Sequence, residues 1–121
     1  MSGSGQPTRL DAAAIGAERL GPRATLVHVS SAFCQPCRAT RRILADVAAL
    51  VDGVTHVEID AESRLDLVRA LRVDRTPTVL VLDAAGNVVK RAAGQPRRPD
   101  VIAALGLATA DQGDQQGTRG A

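Results

Sequence analysis

Apolar and polar positions divide this chain into segments of two periods. Residues 24–30 (ATLVHVS) are β-branched or apolar almost throughout and read as a strand, covered on both faces as a central strand is. Val54–Asp60 reads as the next strand. The run Val79-Leu80-Val81-Leu82, the turn Ala84-Ala85-Gly86-Asn87 and the segment Val88–Ala92 read as a β-hairpin, which Gly94 ends. Between the strands the period changes. Ile43, Leu44, Val47, Leu50 and Val51 recur at helical spacing and predict a helix to about Leu50, stopped by Asp52-Gly53. Leu65, Val68 and Leu71 predict a second helix over about Glu62–Leu71, with those three residues on one face. Pro99 or Asp100 opens a last helix ending near Gly106, and Asp11 is suited to cap a short first helix through about Leu20, stopped by Gly21-Pro22.

The two ends show no such period. Residues 1–9 are rich in Gly, Ser, Pro and Gln and read as a flexible arm, with a weak edge strand near Thr8–Leu10. Residues 108–121 (ATADQGDQQGTRGA) are expected to be disordered. What remains, residues 10–107, suits one domain with a single core. A βαβ half precedes a ββα half. The right-handed crossover of a βαβ unit puts its strands in one sheet with helices packed over it. The expected fold is therefore α/β, a central mixed sheet of four or five strands flanked by helices on both faces.

Composition alters this picture in two places. Phe33 is the one aromatic residue, so the core must be built from Val, Leu, Ile and Ala. The two cysteines lie three apart, too few to staple a small secreted scaffold, and such a pair points to redox or metal chemistry. A formal net charge of +2 supplies no basic cluster for nucleic acid or a membrane surface. No segment approaches the ~20 apolar residues of a membrane span. The N-terminus shows no basic segment followed by an apolar one, so a cytoplasmic location is expected.

The position of the cysteines carries most of the chemistry. Cys34 falls where a strand hands over to a helix, so free N–H groups and the positive end of the helix dipole favour a thiolate there. Pro36 sits in the first turn, where a missing N–H costs little. One turn of helix brings Cys37 back beside Cys34, within disulfide reach, and Arg38 adds positive charge. Two other readings stand beside a redox pair. Half of a zinc site needs a second ligand pair, which only His28 and His56 offer. Inert core thiols fit poorly at a junction that contains a proline.

Phe33-Cys34-Gln35-Pro36-Cys37-Arg38, Val57-Glu58-Ile59-Asp60, Thr76-Pro77-Thr78 and Gly94, with the spacing between them, make the chain resemble the thioredoxin family over about Ala24–Leu105. The resemblance implies a thioredoxin fold with Cys34 as exposed nucleophile and Cys37 as buried resolving thiol. It also implies that Thr76-Pro77 forms a cis-proline loop facing the pair, and that Phe33, Gln35, Pro36, Thr76, Pro77 and Gly94 meet the substrate. An extended substrate segment is then expected to pair with that loop in strand fashion. Four positions depart from the family pattern. Phe33 stands where thioredoxins usually carry Trp, and Gln35 where they usually carry Gly. His28 occupies the place of a buried acid and His56 that of its usual Lys partner. His28 is thus a candidate proton acceptor for Cys37, beside the plainer reading of a neutral core histidine.

The expected function is reduction of disulfides in partner proteins by dithiol–disulfide exchange, without metal or organic cofactor. A flavin-dependent, thioredoxin-reductase-like enzyme or a low-molecular-weight thiol is the expected source of electrons, and a monomer is expected. The alternatives are an oxidase or isomerase of the same fold and a non-catalytic adaptor or redox sensor. Asp60, Glu62 and Asp66 read as caps or solvated helix positions, Arg97-Arg98 as solvated surface, and Arg41 and Arg42 as candidates for binding acidic partners.

Overall fold

The strand β1 (Ala24–Ser30) is buried along its whole length and lies inside a four-stranded sheet. The structure, a computed structural model, describes the backbone of residues 9–120 and the side chains of residues 9–110. Helix α1 (Gln35–Leu50) follows β1 and leads to β2 (Val54–Asp60), which pairs parallel to β1 from Ala24↔Val54 to Ser30↔Asp60. After a 3-10 turn (Ala61–Ser63) and α2 (Leu65–Ala70), the hairpin strands β3 (Thr78–Asp83) and β4 (Val88–Ala93) add antiparallel to the other side of β1, in the order β2-β1-β3-β4. Helix α3 (Arg98–Gly120) closes the fold.

Alternation along the strands sends side chains to two cores. Ala24, Leu26, Val79 and Val81 meet Leu44 and Val47 of α1 and Val101, Ala104, Leu105 and Ala108 of α3. Val27, Ile59, Leu80 and Leu82 meet Leu10, Ile15, Leu67 and Leu71 on the opposite face. Both clusters are aliphatic, as a chain with a single aromatic residue requires.

Several expectations need correction. Among the described residues the fifth strand shows one antiparallel bridge, Arg9↔Asn87, beside a hydrogen bond from the Leu10 N–H to the Gly86 carbonyl of 2.9 Å. That contact needs a glycine at 86: φ there is +93°, and a Cβ would stand 2.3 Å from the Leu10 carbonyl oxygen. Thr8 and the rest of the expected arm, residues 1–8, lie outside the described residues. The helix expected from Asp11 to Leu20 is a short 3-10 turn, Ala13–Ile15. Asp11 does accept the Ala14 N–H at 2.9 Å, but Gly16 at φ 75° turns the chain out of the helix. The inner face of α2 is formed by Leu67 and Leu71, while Leu65, the first residue of this short helix, is 54% exposed. Leu50, at the last turn of α1, also faces outward.

The C-terminal correction is larger. The helix expected to end near Gly106 continues past it. Ala108 lies four residues after Ala104 and three after Leu105, on the same stripe, and is buried with them. The Thr109 hydroxyl donates to the Leu105 carbonyl at 2.9 Å. The expected disordered tail thus begins as ordered helix, whose backbone runs to Gly120.

Candidate functional site

The two cysteines sit where the parallel strand β1 delivers the chain to α1. Cys34 keeps an extended conformation (φ −123°, ψ 102°) and caps the helix: the Cys37 N–H donates to the Cys34 sulfur and to its carbonyl oxygen, each at 3.1 Å. A helix N–H is therefore already aimed at the Cys34 sulfur, which favours a thiolate once the pair is reduced. The two sulfurs form a disulfide with Cα atoms 5.1 Å apart. Cys34 is half-buried, whereas Cys37 is only 1% exposed. Pro36 occupies the first turn, and its carbonyl accepts the Thr40 hydroxyl at 2.8 Å.

The residues expected around the pair are placed as follows. Gln35 and Pro36 are exposed, and Phe33 stands out from the surface at 98% exposure. The Thr76–Pro77 peptide is cis. The Thr76 and Ser31 hydroxyls lie 3.1 Å apart and tie that loop to the end of β1. Gly94, at φ +90°, donates its N–H to the Pro77 carbonyl at 2.7 Å, so the end of β4 joins the same surface.

Beneath α1 the sheet turns polar. His28 is fully buried on the α1 face of β1, and neither ring nitrogen has a hydrogen-bond partner. It stacks on His56 of β2 with centroids 6.2 Å apart and rings inclined by 18°. Burial holds His28 down at about 4, against the opposing pull of Glu58, and burial also lowers His56. Glu58 lies across from His28 in the β1–β2 register. It accepts both Nε and Nη2 of Arg41 at 2.6 Å and the Ser30 hydroxyl at 2.7 Å. The Arg41 hydrogen bond is the main reason that Glu58 is held down at about 2. Arg41 is thus paired with Glu58 at the surface, and Arg98 pairs with Asp46 at 3.1 Å. Asp60 acts as the expected cap, accepting the Glu62 N–H at 3.0 Å.

Sequence reading missed the Arg41–Glu58–Ser30 cluster, although a signal existed. Arg41 lies four residues after the buried Cys37, on the same helix face, and Glu58 two residues after His56, on the same sheet face. Among the described residues, no group of His, Cys, Asp and Glu is arranged to hold a metal ion.

A sequence profile described as a thioredoxin-like domain matches residues 10–109. The chain belongs to the thioredoxin-like domain family. Solved thioredoxins superpose on it. A chloroplastic thioredoxin z is 27% identical with a TM-score of 0.66, covering 74% of this chain and 80% of its own. A mutant thioredoxin from Halobacterium salinarum is 18% identical, with TM-score 0.66 and coverages of 72% and 75%. Thioredoxin f from spinach chloroplast is 20% identical, with TM-score 0.63 and coverages of 73% and 78%. No curated protein matches the sequence. A thioredoxin-like domain with a closed Cys34–Cys37 pair is a site for thiol–disulfide oxidoreduction in general. Among the described residues, no helix is long and apolar enough to cross a membrane.

Proposed function

We propose that this thioredoxin-like protein reduces disulfides in partner proteins, in a reducing compartment such as the cytoplasm. The observation that carries the reading is the inequality of the two sulfurs: Cys34 reachable at the helix start, Cys37 sealed one turn below. In the reduced protein the Cys34 thiolate attacks a partner disulfide in line, forms a mixed disulfide and expels the first partner thiolate. Cys37 then attacks the Cys34 sulfur, releases the second partner thiolate and leaves the Cys34–Cys37 disulfide. Phe33, Gln35, Pro36, Thr76, Pro77 and Gly94 form the surface around that exchange. A flavoenzyme of the thioredoxin-reductase kind or a small thiol restores the dithiol.

Cys37 must lose its proton to attack. His28 is the candidate acceptor, directly or through water: it lies beneath α1, whose first turn carries Cys37, and its ring is unprotonated, while the burial that holds it down at about 4 also makes it a weak base. Its test is the pH profile of disulfide reduction by His28→Ala. A profile identical to wild type removes His28 from the mechanism.

The function is tested by insulin reduction. The wild-type chain is expected to turn over, Cys34→Ser to lose turnover entirely, and Cys37→Ser to accumulate a mixed disulfide with its target. No turnover by the wild-type chain, or full turnover by Cys34→Ser, sinks the reading. A midpoint potential near the thioredoxin value of about −270 mV supports reduction, whereas one near −120 mV marks an oxidase.

A further inference from the structure

Beside Cys34 the surface opens into a pocket of about 290 Å³, walled by Ser30, Cys34, Arg38, Arg41, Glu58 and Asp60. Its opening follows from the sequence. The chain leaving β1 carries only small side chains at Ser30, Ser31 and Ala32. From one side α1 contributes Arg38 and Arg41, three residues apart and so neighbours on the helix surface. From the other, β2 contributes Glu58 and Asp60, two apart and so on one sheet face.

The pocket therefore holds both signs of charge around a reactive sulfur, and the four groups differ in how they are engaged. Arg41 is held by Glu58. Glu58 accepts three hydrogen bonds, two from Arg41 and one from Ser30, and Asp60 accepts two, from the Glu62 N–H and, at 2.9 Å, the Ser63 hydroxyl; a carboxylate offers about four lone-pair sites, so both keep acceptor capacity. Arg38 is exposed and has no ion-pair partner among the described residues. A guanidinium with its donors unused asks for a carboxylate. Two carboxylates with spare lone pairs ask for an ammonium. A ligand of one sign satisfies one wall and is repelled by the other, and an apolar ligand satisfies neither.

We propose that this pocket binds an amino-acid-type low-molecular-weight thiol or its disulfide, the carboxylate on Arg38, the ammonium toward Glu58 and Asp60, and the sulfur against Cys34. The inference rests on the reductase reading and supplies its recycling step. The small thiolate attacks the Cys34 sulfur; the Cys34–Cys37 bond breaks, and Cys37 leaves and takes up a proton. A second small thiolate attacks the small-molecule sulfur of the mixed disulfide and frees the Cys34 thiolate. Two thiols become one disulfide, and one protein cystine becomes two thiols. Run backwards, the same steps reduce the small disulfide.

The reverse direction is the convenient assay. The chain has no Trp or Tyr to report fluorescence, so the pre-reduced full-length protein is mixed with disulfide and the released thiol is titrated. Four probes of similar size separate the charges: L-cystine with both, cystamine with the ammonium, 3,3′-dithiodipropionate with the carboxylate, and hydroxyethyl disulfide with neither. Each rate is divided by that of hydroxyethyl disulfide, in wild type and in Arg38→Ala, so that any general effect of the guanidinium on the thiolate cancels. Cystine is expected to lose about tenfold of its relative rate in Arg38→Ala, and dithiodipropionate to lose less, because without an ammonium to meet Glu58 and Asp60 it is seated less firmly on Arg38 from the start. Equal ratios in the two proteins overturn the inference, as does dithiodipropionate matching cystine in wild type. Insulin reduction without cystine reduction also overturns it and leaves the reductase reading standing; failure with insulin and with every probe sinks that reading itself.

Discussion

The two faces of the sheet share the same four strands and do different work. On the α2 face, Val27, Ile59, Leu80 and Leu82 close against Leu10, Ile15, Leu67 and Leu71 in an aliphatic cluster, with buried Thr25 and Thr78 on the same faces of β1 and β3. On the α1 face, β1 starts in the same manner with Ala24 and Leu26 against Leu44 and Val47, then changes character toward the cysteines. His28, His56, Glu58 and Ser30 replace aliphatic residues there, and Arg41 covers them from α1. Position 28 is one alternate step beyond Leu26, so a single strand is scaffold on one side and chemistry on the other. The α2 face packs mainly aliphatic side chains, whereas the α1 face buries His28 beneath the helix that carries the cystine.

The largest effect that tests this division is a cavity in the aliphatic face. Leu80→Ala is expected to destabilise by about 2–5 kcal/mol, the range for emptying a close-packed leucine site. Denaturant melts read the loss. Insulin reduction per folded molecule is expected to stay at the wild-type level, since Leu80 points away from α1 and the cystine. A large fall in specific turnover without unfolding breaks the division between faces.

On the polar face, His28→Leu should have the opposite sign. The ring buries two nitrogens with no hydrogen-bond partner, and each such group costs free energy relative to an apolar one. The variant is expected to be more stable at pH 7 by about 1–3 kcal/mol. The pH dependence carries a further signature. His28 titrates at about 4 when folded, against 6.5 ordinarily, with Glu58, His56 and Arg41 as its charged neighbours. Between those values the unfolded chain binds more protons, so wild-type stability is full above 6.5 and falls as pH drops toward 4. His28→Leu is expected to flatten that limb. A variant less stable at pH 7, with the limb unchanged, shows the ring to be a well-satisfied core residue.

How far these faces were legible in the sequence follows from the same alternation. β1 and β2 emerge at their expected limits because their runs are long, β-branched and flanked by clear breakers. The cystine was legible because its whole geometry lies within one turn of one helix, Cys34 to Cys37. The inner face of α2 was misjudged because a six-residue helix gives too few positions to fix a phase. The Glu58 cluster escaped because its partners are 17 and 28 residues apart along the chain and meet only through parallel pairing of β1 with β2. Local contacts show in a sequence as spacing; contacts made by the sheet require the register first.

Arg41→Ala probes that register-made cluster, with an expected loss of about 1 kcal/mol, modest because the pair is partly exposed. Glu58 is held down at about 2 against an ordinary 4.5, chiefly by the Arg41 hydrogen bond. Its contribution is therefore complete above 4.5 and lost as pH falls toward 2. Without Arg41 that acid limb is expected to shrink, while the limb between 4 and 6.5 remains. Loss of both limbs together indicates that His28 and Glu58 titrate as one unit.

The smallest effect concerns α3, which the sequence suggested would stop at Gly106. A glycine that ends a helix usually does so with positive φ, and alanine there is strained. Gly106 is instead interior to α3, does not have positive φ, and has nothing within 4 Å of where a Cβ would stand. Gly106→Ala should then stabilise by about 0.5–1 kcal/mol, by restricting the unfolded chain and favouring helix at an unstrained position. The cystine lies at the far end of another helix, so insulin reduction should not change. Destabilisation by Gly106→Ala places the end of the ordered helix at 106, and Ala108 loses its part in the core shared by α1 and α3. A gain in the expected range extends the α1 face of the fold by that further turn, which Ala108 closes against Leu105 and Ala104.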